Sequence, residues 1–427
     1  MAFSMRKIAG FIALFHVTSV VATVYPCESC GSPNLSPAPE AASPGLQPLP
    51  PADSPETNMA PKDGVFDVTE HGAVADGGIE SSSAFSAAWN AACGHPGNST
   101  FYIPKGTFLV GPISFPGPCY NNQSPNIEIR GTLLAPISLS AFQSSNWIAF
   151  RNLQGFTLTG GTETAKLDGQ GAAEAWKQSS CEKSARCKKL ITTIDFINVS
   201  CATISNITLS NSKGFHLGLH GSNNINIHNL NITASGDSPN TDGIHVSHSS
   251  NIKISSSTIG VGDDCVSIGP GSSNISISNV HCGPGHGISV GSLGKYKNEK
   301  DVVGINVRNC TIKGTQNGIR VKTWPGAPAS SASNMTFEDI KNTALRTPAT
   351  PPKQPSLVKL TDIFIRNVNG TYNTNSAVTL LCSTEVPCEN VQLVNISLNY
   401  VVPDSPRQGR LSMKGFLHGL QVINSRF

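Results

Sequence analysis

Residues 240–286 read NTDGIHVSHSSNIKISSSTIGVGDDCVSIGPGSSNISISNVHCGPGH. Inside this stretch, Asn251-Ile-Lys-Ile and Asn274-Ile-Ser-Ile are two copies of one pattern, a turn-forming Asn followed by alternating β-branched residues. The pattern recurs outward as Asn206-Ile-Thr-Leu, Asn224-Ile-Asn-Ile, Gly304-Ile-Asn-Val, Asn334-Met-Thr-Phe and Asp362-Ile-Phe-Ile, at intervals of 18 to 30 residues. No helical periodicity separates the copies. Alternation at period two marks a strand, and one such strand repeating down the chain marks a solenoid in which each turn rests on the last. The sequence therefore predicts an all-β solenoid. The asparagines that open its strands are expected to stack at turns, where their amides satisfy backbone groups from coil to coil.

The same stretch carries the candidate chemistry. Asp242, Asp264 and His286 are separated by 22 and again 22 positions, so one coil per interval would stack them about 4.8 Å apart on one face. Asp263 and Asp264 are adjacent and would point to opposite faces of a plain strand. Gly262 before them permits a bend, and a Cys265–Cys282 disulfide would pin this turn to the next. Alone, the acidic pair reads as a solvated turn or a calcium ligand pair, but the ladder changes that reading. Crowded carboxylates repel, which keeps at least one protonated near working pH. Glycosidic cleavage needs such a set: one acid protonates the leaving oxygen while others activate a water, roughly 6.5–9.5 Å apart in an inverting site. Arg320 and Lys322, at i and i+2, share a strand face and suit either a substrate carboxylate or an ion pair with the aspartates. The glycines of Gly283-Pro-Gly-His-Gly and Gly291-Ser-Leu-Gly lack the strand-to-helix setting of a phosphate loop. His216, His220, His228, His245 and His248 lack a metal-ligand spacing, and no metal or other cofactor is expected.

Of 427 residues only 13% are charged, with a formal net charge of +3, which ordinary solubility explains as well as an acidic partner does. No nucleic-acid partner is expected. Residues 1–22 carry Arg6, Lys7, an apolar run from Ile8 to Val21 and the small-residue pattern Val20-Val21-Ala22, as in a secretory signal peptide. His16, Thr18 and Ser19 interrupt the run and weigh against a membrane anchor. Export agrees with twelve cysteines, for which Cys265–Cys282, Cys382–Cys388 and Cys181–Cys187 are natural local pairs while Cys201 and Cys310 have no evident partner. It agrees too with glycosylation acceptors at Asn98, Asn122, Asn198 and Asn369. Residues 23–64 form a Pro-, Ser- and Ala-rich arm or linker, and residues 65–427 the solenoid domain. Its one helix is expected from a cap among Ser81 to Ser83, with Ala84, Phe85, Ala88, Trp89 and Ala92 as an apolar stripe that closes the first coil.

Asn240-Thr-Asp242, Gly262-Asp263-Asp264, Gly285-His286-Gly287 and Arg320-Val-Lys322, in this order, resemble the four signature motifs of the polygalacturonase family, family 28 of the glycoside hydrolases. Gly260-Val-Gly-Asp-Asp-Cys, Cys282-Gly-Pro-Gly-His-Gly-Ile-Ser-Val-Gly-Ser-Leu-Gly and Val321-Lys-Thr-Trp-Pro-Gly resemble the plant exopolygalacturonases in particular. The likeness spans Val65 to Ile340 and resumes near Val358. It implies a right-handed parallel β-helix, secreted to the plant cell wall as a monomer, hydrolysing α-1,4 bonds of polygalacturonate (pectin) with inversion, exo-acting rather than endo-acting. By motif, Asp263 is the general acid, Asp242 and Asp264 hold and activate the water, and Asn240, His286, Arg320 and Lys322 position the sugar and its carboxylate. The chain departs from the family in having no tyrosine between Tyr296 and Tyr372 and in the proline-rich interruption after Thr343. The alternative is therefore a pectin-binding wall protein of the same fold with impaired catalysis. A calcium-dependent pectate lyase on a similar β-helix is a third reading.

Overall fold

The computed structural model describes residues 64–161, 165–177, 190–343, 354–374, 376–401 and 411–427. The expected leader, the proline-rich arm up to residue 63 and the Cys181–Cys187 pair lie outside these residues. The described chain is a right-handed parallel β-helix whose central coils contribute three short strands each. One coil at the site is built from Ile244–Ser247, Ser250–Ser255 and Thr258–Gly260, and the next from Val266–Ile268, Ser273–Ser278 and His281–Cys282. The first strands of successive coils form an eight-stranded sheet running from Ile113–Pro116 to Ile319–Thr323. The second and third strands form two further faces that fuse where the 14-residue strand Ser330–Thr343 pairs with both Val302–Arg308 and Thr311–Lys313.

Parallel register turns each strand position into a column. Ile244, Val266, Ile288 and Ile319 are consecutive partners, as are Ile252, Ile275, Ile305 and Met335. Their inward side chains make one continuous core. Phe115, Phe150 and Phe196 stack along it with ring centres 5.1 and 5.4 Å apart. The helix Ser82–Gly94 closes the first coil with the expected stripe of Ala84, Phe85, Ala88, Trp89 and Ala92, all buried. Ser81 stands at the cap position, but its hydroxyl makes no capping bond and donates instead to the Ile79 carbonyl.

The asparagines do stack, with a difference in what they bond. Asn206, Asn251 and Asn274 sit at φ near +55°, the left-handed region their short amide side chains tolerate. Their amides bond chiefly to one another rather than to backbone: Asn274 Nδ2 donates to Asn251 Oδ1 at 3.1 Å, Asn229 to Asn206 at 3.3 Å and Asn367 to Asp339 at 3.0 Å. The short 18-residue interval of the repeat is a change of face. Asn206 precedes the third strand of its coil, where Thr208 pairs with Asn231. The residue one coil before Asn224 is Cys201, flanked by the pairs Ser200–Asn223 and Ala202–Ile225.

Disulfides Cys265–Cys282 and Cys382–Cys388 are present as expected, and Cys93–Cys119 joins them. Cys310 keeps a buried thiol. The acceptors Asn98, Asn122, Asn198 and Asn369 are all exposed. The interruption after Thr343 leaves the ladder unbroken, since Ser330 through Thr343 pair in register with Val358 through Thr371. The eight-stranded sheet ends at Ile319–Thr323, and among the described residues the following strands on that side, Val378–Leu381 and Leu411–Lys414, form a separate pair.

Phe196 is fully buried between stacked rings, so Phe196→Ala should cost about 3–5 kcal/mol in chemical denaturation. An unchanged midpoint would contradict the packing described.

Candidate active site

The site lies at the start of the last strands of the eight-stranded sheet. Gly243 N–H donates to the Asp264 carbonyl at 2.9 Å and Cys265 N–H to the Gly287 carbonyl at 2.8 Å. These bonds put Asp242, Asp264 and His286 on consecutive coils, as the 22-residue spacing predicts. Gly262 is required for closeness rather than for a left-handed bend: a Cβ there would fall 1.9 Å from the Ser238 carbonyl oxygen.

Asp263 and Asp264 diverge, each to its own partners. Asp264 is 2% exposed; its Oδ1 accepts from Arg320 at 2.8 Å and from Ser289 Oγ at 2.6 Å, and its Oδ2 accepts from Lys322 at 2.8 Å. The two cations thus flank one carboxylate, the ion-pair reading of their shared face. They remain about a quarter exposed, so they also border solvent where a substrate anion would arrive. Asp263 Oδ1 accepts from His286 Nδ1 at 2.8 Å and Oδ2 from Asn240 Nδ2 at 3.4 Å. His286 therefore serves Asp263 and not Asp264, although the ladder aligns its backbone with the latter. All seven candidate residues, Asn240, Asp242, Asp263, Asp264, His286, Arg320 and Lys322, belong to these neighbouring coils.

The proton affinities of Asp242 and Asp263 diverge. Burial, followed by the charges of Asp263 and Asp264, pushes Asp242 well above the ordinary aspartate value. Burial also acts to raise Asp263, but the hydrogen bond and charge of His286 outweigh it, with Lys322 adding to them, and Asp263 is held below the ordinary value. The carboxyl pushed toward its protonated form in the free site is Asp242, by burial first and by crowding second, while Asp263 is pushed the other way. The physical reason is that Asp242 is 6% exposed and, among the described residues, forms no ion pair, while Asp263 has an imidazole.

Four supporting residues escaped the sequence reading. Ser289 bridges Asp264 and Arg320 Nε. Ser267 hydrogen-bonds Asp242 and meets His245 Nδ1 at 2.8 Å. Fully buried His216 holds the Asp242 carbonyl through its backbone N–H at 2.8 Å and Nδ1 at 3.1 Å. Burial lowers His216 to about 4 and His245 to about 3, so both are neutral near pH 7. A signal was present: His245, Ser267 and Ser289 repeat the 22-residue spacing, each three positions after Asp242, Asp264 and His286. They are registered partners on the outer face.

Donor atoms of Asp263, Asp264 and His286 lie within 4.8 Å of one another, close enough for a cation. Both Asp264 oxygens are already bonded to Arg320 and Lys322, so a metal would have to displace two positive charges. The set fits a metal poorly.

A family model described as glycosyl hydrolases family 28 matches residues 93–409. The chain is 43% identical over 350 residues to an exopolygalacturonase of Zea mays, covering 79% of this chain and 84% of that one. It is 40% identical over 370 residues to the exopolygalacturonase of Platanus acerifolia, covering 84% and 96%. Among solved structures, an exopolygalacturonase from Thermotoga maritima superposes with TM-score 0.65 at 17% identity, covering 86% of this chain and 93% of its own. The polygalacturonase of Erwinia carotovora does so with TM-score 0.60 at 21% identity, covering 84% and 100%. These two share the fold.

Because Asp242 is raised above the ordinary 3.8, its ionisation opposes folding. The stability its neutral form allows is fully present below pH about 4 and is lost as pH rises through its raised value. Asp242→Asn should therefore raise the thermal midpoint at pH 7, with the gain vanishing below pH 4. A midpoint lowered at pH 7 would contradict this assignment of the proton.

Proposed function

This chain belongs to family 28 of the glycosyl hydrolases, and from that premise we propose that it is a secreted exopolygalacturonase, cleaving α-1,4 bonds between galacturonates in pectin with inversion. The observation that carries the reading is the Asp264 carboxylate held between Arg320 and Lys322, with Asp242 and Asp263 beside it. An anionic sugar needs the cations and hydrolysis needs the acids. Plant relatives named exopolygalacturonase favour the exo mode. Three disulfides among the described residues support export to an oxidising compartment, here the cell wall.

Asp263 protonates the leaving oxygen, Asp242 and Asp264 hold a water, and Asp264, paired with Arg320 and Lys322, takes its proton as the water attacks the opposite face of the sugar. Of the three, Asp263 is the least buried, which suits contact with a glycosidic oxygen and reprotonation from solvent. Its low proton affinity in the free site is in part the work of Lys322. A galacturonate carboxylate that engages Lys322 cancels that charge and raises Asp263 toward the protonated state. Substrate binding thereby prepares the acid. Asn240 and His286 hold Asp263 in place.

The end of the eight-stranded sheet beside the cations, at Thr323, favours a second reading, a pectin-binding protein without turnover. Reducing-sugar release from polygalacturonate separates the two, because binding without release supports the second. Under the first, the products are single galacturonate units that appear initially as the β anomer in early proton NMR spectra; a ladder of oligomers would refute exo action. Asp263→Asn should reduce turnover by about 10²–10⁴-fold with an unchanged circular dichroism spectrum, and near-normal rates would remove Asp263 from the role. Loss of the imidazole partner raises Asp263, so His286→Gln should move the alkaline limb of the kcat profile to higher pH. A limb that stays in place would separate His286 from the acid.

A further inference from the structure

Just past Ile288–Leu293, the strand paired with the cationic one, the loop Gly294–Glu299 holds a group that the reaction above leaves unused. The Lys295 ammonium lies 5.4 Å from the ring centre of Tyr296 and 5.6 Å from that of Trp324, within the range at which aromatic faces attract a cation. Both rings are exposed, Tyr296 at 64% and Trp324 at 42%, whereas Trp89 and Trp147 are 1% exposed. Large aromatic surface left in water next to a cleft marks a contact site. Among the described residues no carboxylate forms an ion pair with Lys295. The acid of its own loop, Glu299, accepts from the backbone N–H groups of Gly294 at 2.6 Å and Tyr296 at 2.9 Å. Glu299 shapes the loop, and the rings hold the cation.

The loop borders the site. Trp324 follows Lys322 by two positions, directly after the strand Ile319–Thr323. Its N–H donates to the Leu293 carbonyl at 2.8 Å, and a Cβ on Gly291 would fall 2.1 Å from the Lys322 carbonyl oxygen.

We propose that Lys295, braced by Tyr296 and Trp324, binds the carboxylate of the galacturonate unit adjoining the one held at Arg320 and Lys322, with the C–H face of that sugar against the exposed indole. The proposal rests on the reading of the site as one for polygalacturonate. A polymer with one carboxylate per sugar presents a second anion just beyond the first, and among the described residues no acid is paired with Lys295. The rings restrict the lysine before the ligand arrives, which lowers the ordering cost of binding.

The test uses the Asp263→Asn protein, so that binding is read without turnover. Titration with trigalacturonate should change tryptophan fluorescence, and Trp324→Phe should remove most of the change. Lys295→Met should weaken trigalacturonate binding about tenfold and leave monogalacturonate binding within about twofold, while Lys295→Arg restores most of the loss because charge is retained. With the active protein, Lys295→Met should raise KM for the polymer and leave kcat unchanged. If Lys295→Met binds trigalacturonate as tightly as its parent, the subsite is overturned and the substrate reading stands. If the parent binds neither sugar, the substrate reading falls and the subsite with it.

Discussion

Every feature of this molecule depends on parallel strands keeping register from coil to coil. A slip of one residue would exchange the inward and outward side chains of a strand, turning the column Ile244, Val266, Ile288 into solvent and the column His245, Ser267, Ser289 into the core. Register is enforced from several sides. Phenylalanines stack within, asparagine amides bond along the turns, and glycines sit where backbone meets backbone, as at Gly283, whose Cβ would lie 1.8 Å from the Lys313 carbonyl oxygen. The Cys265–Cys282 bridge adds a covalent tie directly beside the two aspartates.

That rigidity permits an arrangement that no isolated segment would hold. Three carboxylates meet in a partly dry space, and each is settled differently. Asp264 is met by two cations and a hydroxyl, Asp263 by an imidazole and an amide, and Asp242 is pushed by burial well above the ordinary aspartate value. Breaking a buried ion pair leaves an uncompensated charge, which costs about 3–5 kcal/mol. The scaffold must therefore stay in register to keep Asp264 compensated. The same scaffold leaves Asp263 the least buried of the three.

Much of this was legible in the amino-acid order. A strand repeat with asparagine punctuation specifies a solenoid, because alternation with so little charge leaves stacking as the way to bury one side of each strand. The helical stripe from Ala84 to Ala92 identifies the end cap. The 22-residue spacing of Asp242, Asp264 and His286 aligns the site along the coil axis, because parallel pairing turns equal intervals into columns. Where coils differ in length the same reasoning misleads, as with Asn206, which opens a strand on a different face from Asn224.

The sequence by itself determined the coil, the lid and which residues gather at the site, since these follow from local periodicity and from counting residues per turn. Only the tertiary structure decided which partner each side chain takes. Adjacent aspartates with the same side chain take different partners, one meeting His286 and the other Arg320 and Lys322, 56 and 58 residues further along the chain. Position in the chain gives a side chain its column, while its charge state is set by the groups that packing brings within 3 Å of it.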